Sequence, residues 1–128
     1  MKLLIDTCVF LWTLEGGASL SSTAREAMQS PDNDVLLSNV SAWEISMKHG
    51  LGRLPLPEPP ERYVPSQRKI RGIDALPLGE EAALYLYRLP PLHRDPFDRM
   101  LICQALVDGL TLVTPDPEIQ RYPVRTLW

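Results

Sequence analysis

The sequence predicts an α/β fold, a parallel sheet with helices packed on both faces. Three observations carry that expectation. Short apolar runs at Leu3–Ile5, Val35–Leu37 and Leu110–Thr114 have the length of strands buried on both sides. Stretches with helix caps and helical apolar spacing alternate with them. Acids stand where the runs end: Asp6 after the first, Glu44 early in the helix leaving the second, and Asp116 after the run that closes at Thr114. In such folds ligands bind at the carboxyl ends of the strands.

Each element has a local reason. Leu3-Leu4-Ile5 stops at Asp6, as a buried strand does on reaching an edge. Val9 to Leu14 is apolar and closes at Gly16-Gly17, which reads as a short helix. Ser21-Ser22 opens a helix through Ala24, Ala27 and Met28 that ends near Pro31. After the strand at Val35-Leu36-Leu37, Ser38 or Ser41 caps a helix carrying Trp43, Glu44 and Met47, and Gly50 stops it. Residues 55–60 read Pro-Leu-Pro-Glu-Pro-Pro and fit a stiff surface loop, because proline suits neither a helix interior nor a central strand. A polar helix over Glu61–Ile70, a weak strand from Ile73 to Leu78 and a helix from Gly79 to Arg88 follow.

The strongest helix runs from Pro96 to Asp108. Phe97, Leu101, Ile102, Ala105 and Leu106 line one broad face, and Gly109 ends it. A strand over Leu110–Thr114, a helical turn over Pro117–Arg121 and a last strand over Val124–Leu127 complete the chain. Residues 1–128 are expected to form one domain, since neither side of the proline-rich loop would make a core alone.

Composition narrows the function. The net charge of −3 argues against a generic nucleic-acid coat protein. Setting aside Asp6, Glu44, Asp98 and Asp116 leaves −3 + 4 = +1, so a nucleic-acid enzyme with a local basic rim remains open. Cys8 and Cys103 form no C-x-x-C pattern and read as reduced thiols of a cytoplasmic protein. The apolar start is too short for a signal peptide or a membrane span.

Topology brings four acids to one edge. Asp6 and Asp116 follow strands, and Glu44 sits in the first turns after one. Asp98 opens a helix that must begin at the same edge, because it runs back to feed the next parallel strand. Each acid also has a purely structural reading. Asp95, Pro96 and Asp98 fit the N-cap, N1 and N3 positions of a helix. Ser41-x-x-Glu44 fits a capping box, and Asp116 fits a turn acid. Caps need no common edge, however, and four acids sharing one favour a site for a hard divalent cation.

The remaining motifs exclude other chemistry. Phosphate-cradling glycine loops and the G-x-S-x-G elbow are absent. His49 reads as a helix-terminal surface residue, and His93 as a structural residue near the rim. With no evident protein nucleophile, water activated by Mg²⁺ or Mn²⁺ is the expected attacking group. Lys48, Arg94 and Arg99 neighbour the acids and are the candidate backbone contacts; the arginines otherwise read as surface salt bridges. Phe10-Leu11-Trp12 with Leu14 is more apolar than one buried helix face needs, which predicts an exposed interface there.

At these residues the chain resembles the PIN domain, and more narrowly the VapC-type toxins of toxin–antitoxin pairs. The resemblance rests on Asp6-Thr7, Ser41-Ala42-Trp43-Glu44-Ile45 with Lys48, His93-Arg94-Asp95-Pro96-Phe97-Asp98-Arg99 and Thr114-Pro115-Asp116, and it covers nearly the whole chain. It implies a three-layer α/β/α fold with a five-stranded sheet of order 3-2-1-4-5. It also implies Mg²⁺-dependent endoribonuclease activity, with Mn²⁺ a possible substitute and Asp6, Glu44, Asp98 and Asp116 as the catalytic and metal-binding acids. A cognate antitoxin, an RNA substrate, a homodimer and a toxin–antitoxin hetero-oligomer are the implied partners. Asp95 keeps the capping role, while Thr7 and Thr114 match positions whose hydroxyls orient the acids or a water. Cys8 stands where many relatives carry histidine, and Pro115 where a small residue is usual; neither removes a carboxylate. A haloacid-dehalogenase-like phosphatase would need an acid at Cys8, and a receiver domain a lysine after its last strand. A non-cleaving PIN-like binding module is the alternative of another class.

Overall fold

The sheet is assembled around its first strand. A computed structural model describes residues 1–128. The strands are β1 (Lys2–Ile5), β2 (Asp34–Ser38), β3 (Asp74–Leu76), β4 (Thr111–Val113) and β5 (Thr126–Leu127). The helices are α1 (Thr7–Leu14), α2 (Ser22–Gln29), α3 (Asn39–Gly50), α4 (Pro60–Ile70), α5 (Glu80–Tyr85) and α6 (Pro96–Asp108), with 3₁₀ turns at Leu86–Arg88 and Ile119–Arg121. The five strands are all parallel in the order β3-β2-β1-β4-β5.

Burial on both faces explains why β1 is a continuous apolar run. Leu3, Leu4 and Ile5 are fully buried. Leu4 faces one core with Phe97, Leu101, Ile102 and Leu112. Leu3 and Ile5 face the other with Val9, Phe10, Ala24, Leu37 and Val64. Alternate side chains of a strand point to opposite faces, so α5 and α6 cover one layer and α1, α2 and α4 the other. Helix α3 serves both, giving Val40 to the first core and Ile45 to the second.

Cap chemistry sets the helix starts at the sheet edge. The Asp95 carboxylate accepts the N–H groups of Phe97 and Asp98 at 2.9 and 3.1 Å, with Pro96 at N1. Gly109 closes α6 in the left-handed region at φ 66°. This helix is buried more widely than its expected apolar face, because Cys103 and Gln104 are buried too. The Gln104 amide donates to the Pro77 carbonyl and accepts from the Ser38 hydroxyl, which ties α6 to the end of β2.

One local expectation is corrected. Ser38, not Ser41, caps α3, its hydroxyl accepting the Val40 N–H. Ser41 lies inside the helix and accepts the Thr7 hydroxyl, while Glu44 pairs with Lys48, so the capping box does not form. On α1, Leu11, Trp12 and Leu14 are half-buried, so part of its apolar surface stays open. Phe10 is core, and the half-buried Trp12 packs against Trp128 with ring centroids 5.9 Å apart. No helix is long and apolar enough to cross a membrane.

Candidate active site

Asp6 links β1 to α1. It caps the helix, with Oδ1 accepting the Thr7 N–H at 2.7 Å. The pairing of Ile5 with Val113 brings the residue after β4 alongside. Thr114 therefore donates its hydroxyl to Asp6 Oδ2 at 2.8 Å. The same hydroxyl accepts the Asp116 N–H at 3.1 Å, so one threonine orients two acids. Asp116 Oδ1 in turn accepts the Glu118 N–H at 2.9 Å, as a turn acid does.

Asp98 arrives from the first turn of α6. Its Oδ2 lies 3.2 Å from His93 Nε2. Glu44 comes from α3, is buried, and meets Lys48 one turn on at 2.5 Å. All four acids named from the sequence line a single cavity of about 170 Å³ together with Asp95, Thr7, Cys8, Leu11 and Lys48.

The electrostatics follow from crowding acids at a buried edge. Five carboxylates face one ammonium in this cavity. Burial pushes the Asp6 carboxyl above its usual range, while its bonds from Thr114 and Thr7 pull it back. Burial, then the charges of Asp6 and Asp95, raise Asp98 to about 7 against the pull of His93. Lys48 is held above its ordinary value by its bond to Glu44. Burial, then Asp6, pushes the Cys8 thiol up to about 12, so it stays protonated in the metal-free protein.

The carboxylates give a hard-oxygen donor set with excess negative charge, which fits Mg²⁺ or Mn²⁺. No group of three or more His, Cys, Asp and Glu side chains forms a ready-made cage. Mg²⁺ is commonly held by one or two carboxylates and several waters, so an open rim of this kind suits it.

Of the basic candidates, Lys48 lines the cavity and Arg99 departs from expectation. Arg99 turns away from the cavity, donating to the Pro90 carbonyl at 2.9 Å and to the Tyr122 hydroxyl at 3.0 Å. Neither Arg94 nor Arg99 forms an ion pair, and Arg94 is exposed beside Asp95. His93 is closer to the acids than its sequence position suggested. The missed signal was Tyr122, whose distance along the chain hid its bonds to His93 and Arg99.

Three comparisons relate the chain to known proteins. The PIN domain family model matches residues 3–124. Ribonuclease VapC16 of Mycobacterium tuberculosis (strain ATCC 25618 / H37Rv) is 41% identical over 59 residues, a stretch covering 46% of this chain and 42% of that protein. The chain thus spans less than half the length of that curated relative. VapBC2 from Rickettsia felis, solved bound to a DNA fragment from its promoter, superposes with a TM-score of 0.72 at 14% identity, covering 98% of this chain and 97% of that one. VapBC-5 from Mycobacterium tuberculosis, a member of the VapBC family of toxin–antitoxin systems, gives 0.56 at 17% identity, covering 94% and 89%. At such identities the structural likeness speaks for the fold.

Proposed function

Because the chain belongs to the PIN domain family, we propose that it is a divalent-metal-dependent endoribonuclease, acting in the cytoplasm as the toxin of a toxin–antitoxin pair. Residues 1–128 would act as one PIN unit and pair as a homodimer. The observation that carries the reading is the cavity where Asp6, Glu44, Asp98 and Asp116 meet under a single lysine. The partial match to Ribonuclease VapC16 and the fold shared with the VapBC structures support the nuclease and toxin assignments.

In this reading Asp6, Asp98 and Asp116 hold the cation, with Glu44 bound directly or through water. When bound, Mg²⁺ or Mn²⁺ supplies Lewis acidity: it offsets charge on the phosphodiester and acidifies water. The protein's part is orientation. Thr114 fixes one Asp6 oxygen and the Asp116 backbone, and the Thr7 N–H fixes the other Asp6 oxygen. Lys48 holds Glu44 at the rim.

The antitoxin would dock beside the cavity. A second groove of about 140 Å³ is lined by Leu11, Leu14, Leu54, Leu56 and Tyr63, and Leu11 lines both cavities. An apolar segment seated there would carry a basic side chain within reach of the acids.

The test is direct. Purified protein should cut single-stranded RNA with Mg²⁺ or Mn²⁺, stop on chelation and recover when the metal is restored. Asp98→Asn should reduce cleavage at least 100-fold, on the order expected for loss of a metal-site group. RNA bound tightly but left intact at every metal tested would instead establish a non-cleaving binding module.

A further inference from the structure

His93 has a hydrogen-bonding environment that determines where its proton sits. The Tyr122 hydroxyl touches three polar groups. The Arg99 Nη1–H donates to it at 3.0 Å and the His93 backbone N–H at 3.1 Å. His93 Nδ1 lies 2.8 Å away. A hydroxyl has two acceptor sites and one proton. The first two groups can donate but not accept, so they take both acceptor sites. The hydroxyl proton is left for Nδ1, which must then be the bare nitrogen of the ring. Its partner Nε2 carries the hydrogen and points at Asp98 Oδ2, 3.2 Å away.

The chain of contacts is well anchored. Tyr122 is buried, its ring packs edge-on against His93 at 5.4 Å, and its hydroxyl is held in place by Arg99. Arg99 is itself fixed by the carbonyls of Pro90 and Leu89, just before the α6 cap. The turn preceding α6, the Tyr122 loop and the first turn of the helix are thereby locked to one another.

We propose that His93 is a positioning residue, held by Tyr122 and Arg99 in its Nε2–H tautomer so that it donates to one Asp98 oxygen and leaves the other free to face the cavity. The carboxylate is then presented in one orientation. Outer partners of this kind fix ligand geometry at metal sites, and their loss weakens binding. The inference builds on the proposed metal site, but the tautomer can be read without metal or RNA.

Long-range ¹⁵N–¹H spectra of the metal-free protein at mildly alkaline pH, where an ordinary imidazole is neutral, report the tautomer directly. With His49 and His93 the two histidines, His49→Gln assigns the signals. His93 should show a protonated Nε2 and a bare Nδ1, and Tyr122→Phe, which keeps the buried ring, should abolish that bias. Calorimetric Mn²⁺ binding supplies the second readout. His93→Leu and Tyr122→Phe should weaken it by roughly 10–100-fold, while His93→Gln, which keeps an N–H donor, should restore most of the loss. A protonated Nδ1 in the wild-type protein overturns the proposal, as does Mn²⁺ affinity unchanged in His93→Leu. The expected tautomer and Mn²⁺ losses in a protein that cuts no RNA would leave the positioning role standing and remove the ribonuclease reading.

Discussion

Asp98 occupies the helix position that most favours a carboxylate, yet its surroundings oppose its charge. The first turn of a helix stabilises an anion by a few tenths of a kcal/mol to about 1 kcal/mol. Burial and the charges of Asp6 and Asp95 outweigh that, and the carboxyl titrates at about 7 instead of 3.8. A consequence for stability follows. Between those values the folded chain keeps a proton that the unfolded chain has lost, so this residue's stabilising contribution is complete below about 4 and fades as pH rises through about 7. Metal-free Asp98→Asn keeps an oxygen to accept from His93 but has no charge to bury. Thermal melts should find it more stable than wild type above neutral pH, with the gap closing as pH falls towards 4. Saturating Mg²⁺ should raise the melting temperature of wild type and leave that of the variant unmoved, because a ligand stabilises the state that binds it. A variant that melts lower than wild type at every pH would show that Asp98 is chiefly a structural member of the first turn.

At the scale of elements, legibility followed how local the decisive interaction was. Helix α6 could be delimited from Pro96 to Asp108 because both its signals are in the chain itself: Asp95-Pro96 at one end, Gly109 at the other. The convergence of the acids was legible because parallel topology alone sends Asp6, Glu44, Asp98 and Asp116 to one edge. The cap of α3 was ambiguous between two serines, and the end of β2 decided it. The His93–Tyr122–Arg99 cluster and the buried Gln104 were not legible, since each depends on partners far along the chain. Helix α1 shows the same limit. Its excess apolar surface suggested an interface, but Trp12 finds a partner in Trp128 at the other end of the sequence. A fully buried tryptophan cut to alanine costs about 3–5 kcal/mol, so for this half-buried ring Trp12→Ala should cost about 2 kcal/mol. Urea unfolding should show a lower midpoint with an unchanged slope. An unmoved midpoint alongside weakened self-association would return Trp12 to the interface role and detach it from Trp128.

The whole molecule carries −3, and the cavity lining contributes −5 + 1 = −4 of it, leaving +1 for everything else. A polyanion approaching this protein therefore meets a nearly neutral body with a concentrated negative hole, and under the proposed function a bound cation would be what makes the site hospitable to a phosphodiester. Of the three basic residues that neighbour the acids in sequence, two are already engaged. Lys48 is engaged with Glu44, and Arg99 is committed to backbone carbonyls and Tyr122. Arg94 is the exposed cation beside Asp95 at the cavity's edge. Each phosphate contact on a single strand contributes about 0.7 to the slope of log affinity against log salt concentration. With the inactive Asp98→Asn background and a labelled single-stranded RNA, adding Arg94→Ala should flatten that slope by roughly this amount. Arg99→Ala should leave the slope alone and lower the melting temperature, because it deprives the loop carbonyls and Tyr122 of their donor. The opposite pattern, a flattened slope in Arg99→Ala with none in Arg94→Ala, would mean that RNA binding pulls Arg99 out of its loop contacts and that the guiding charge lies at α6.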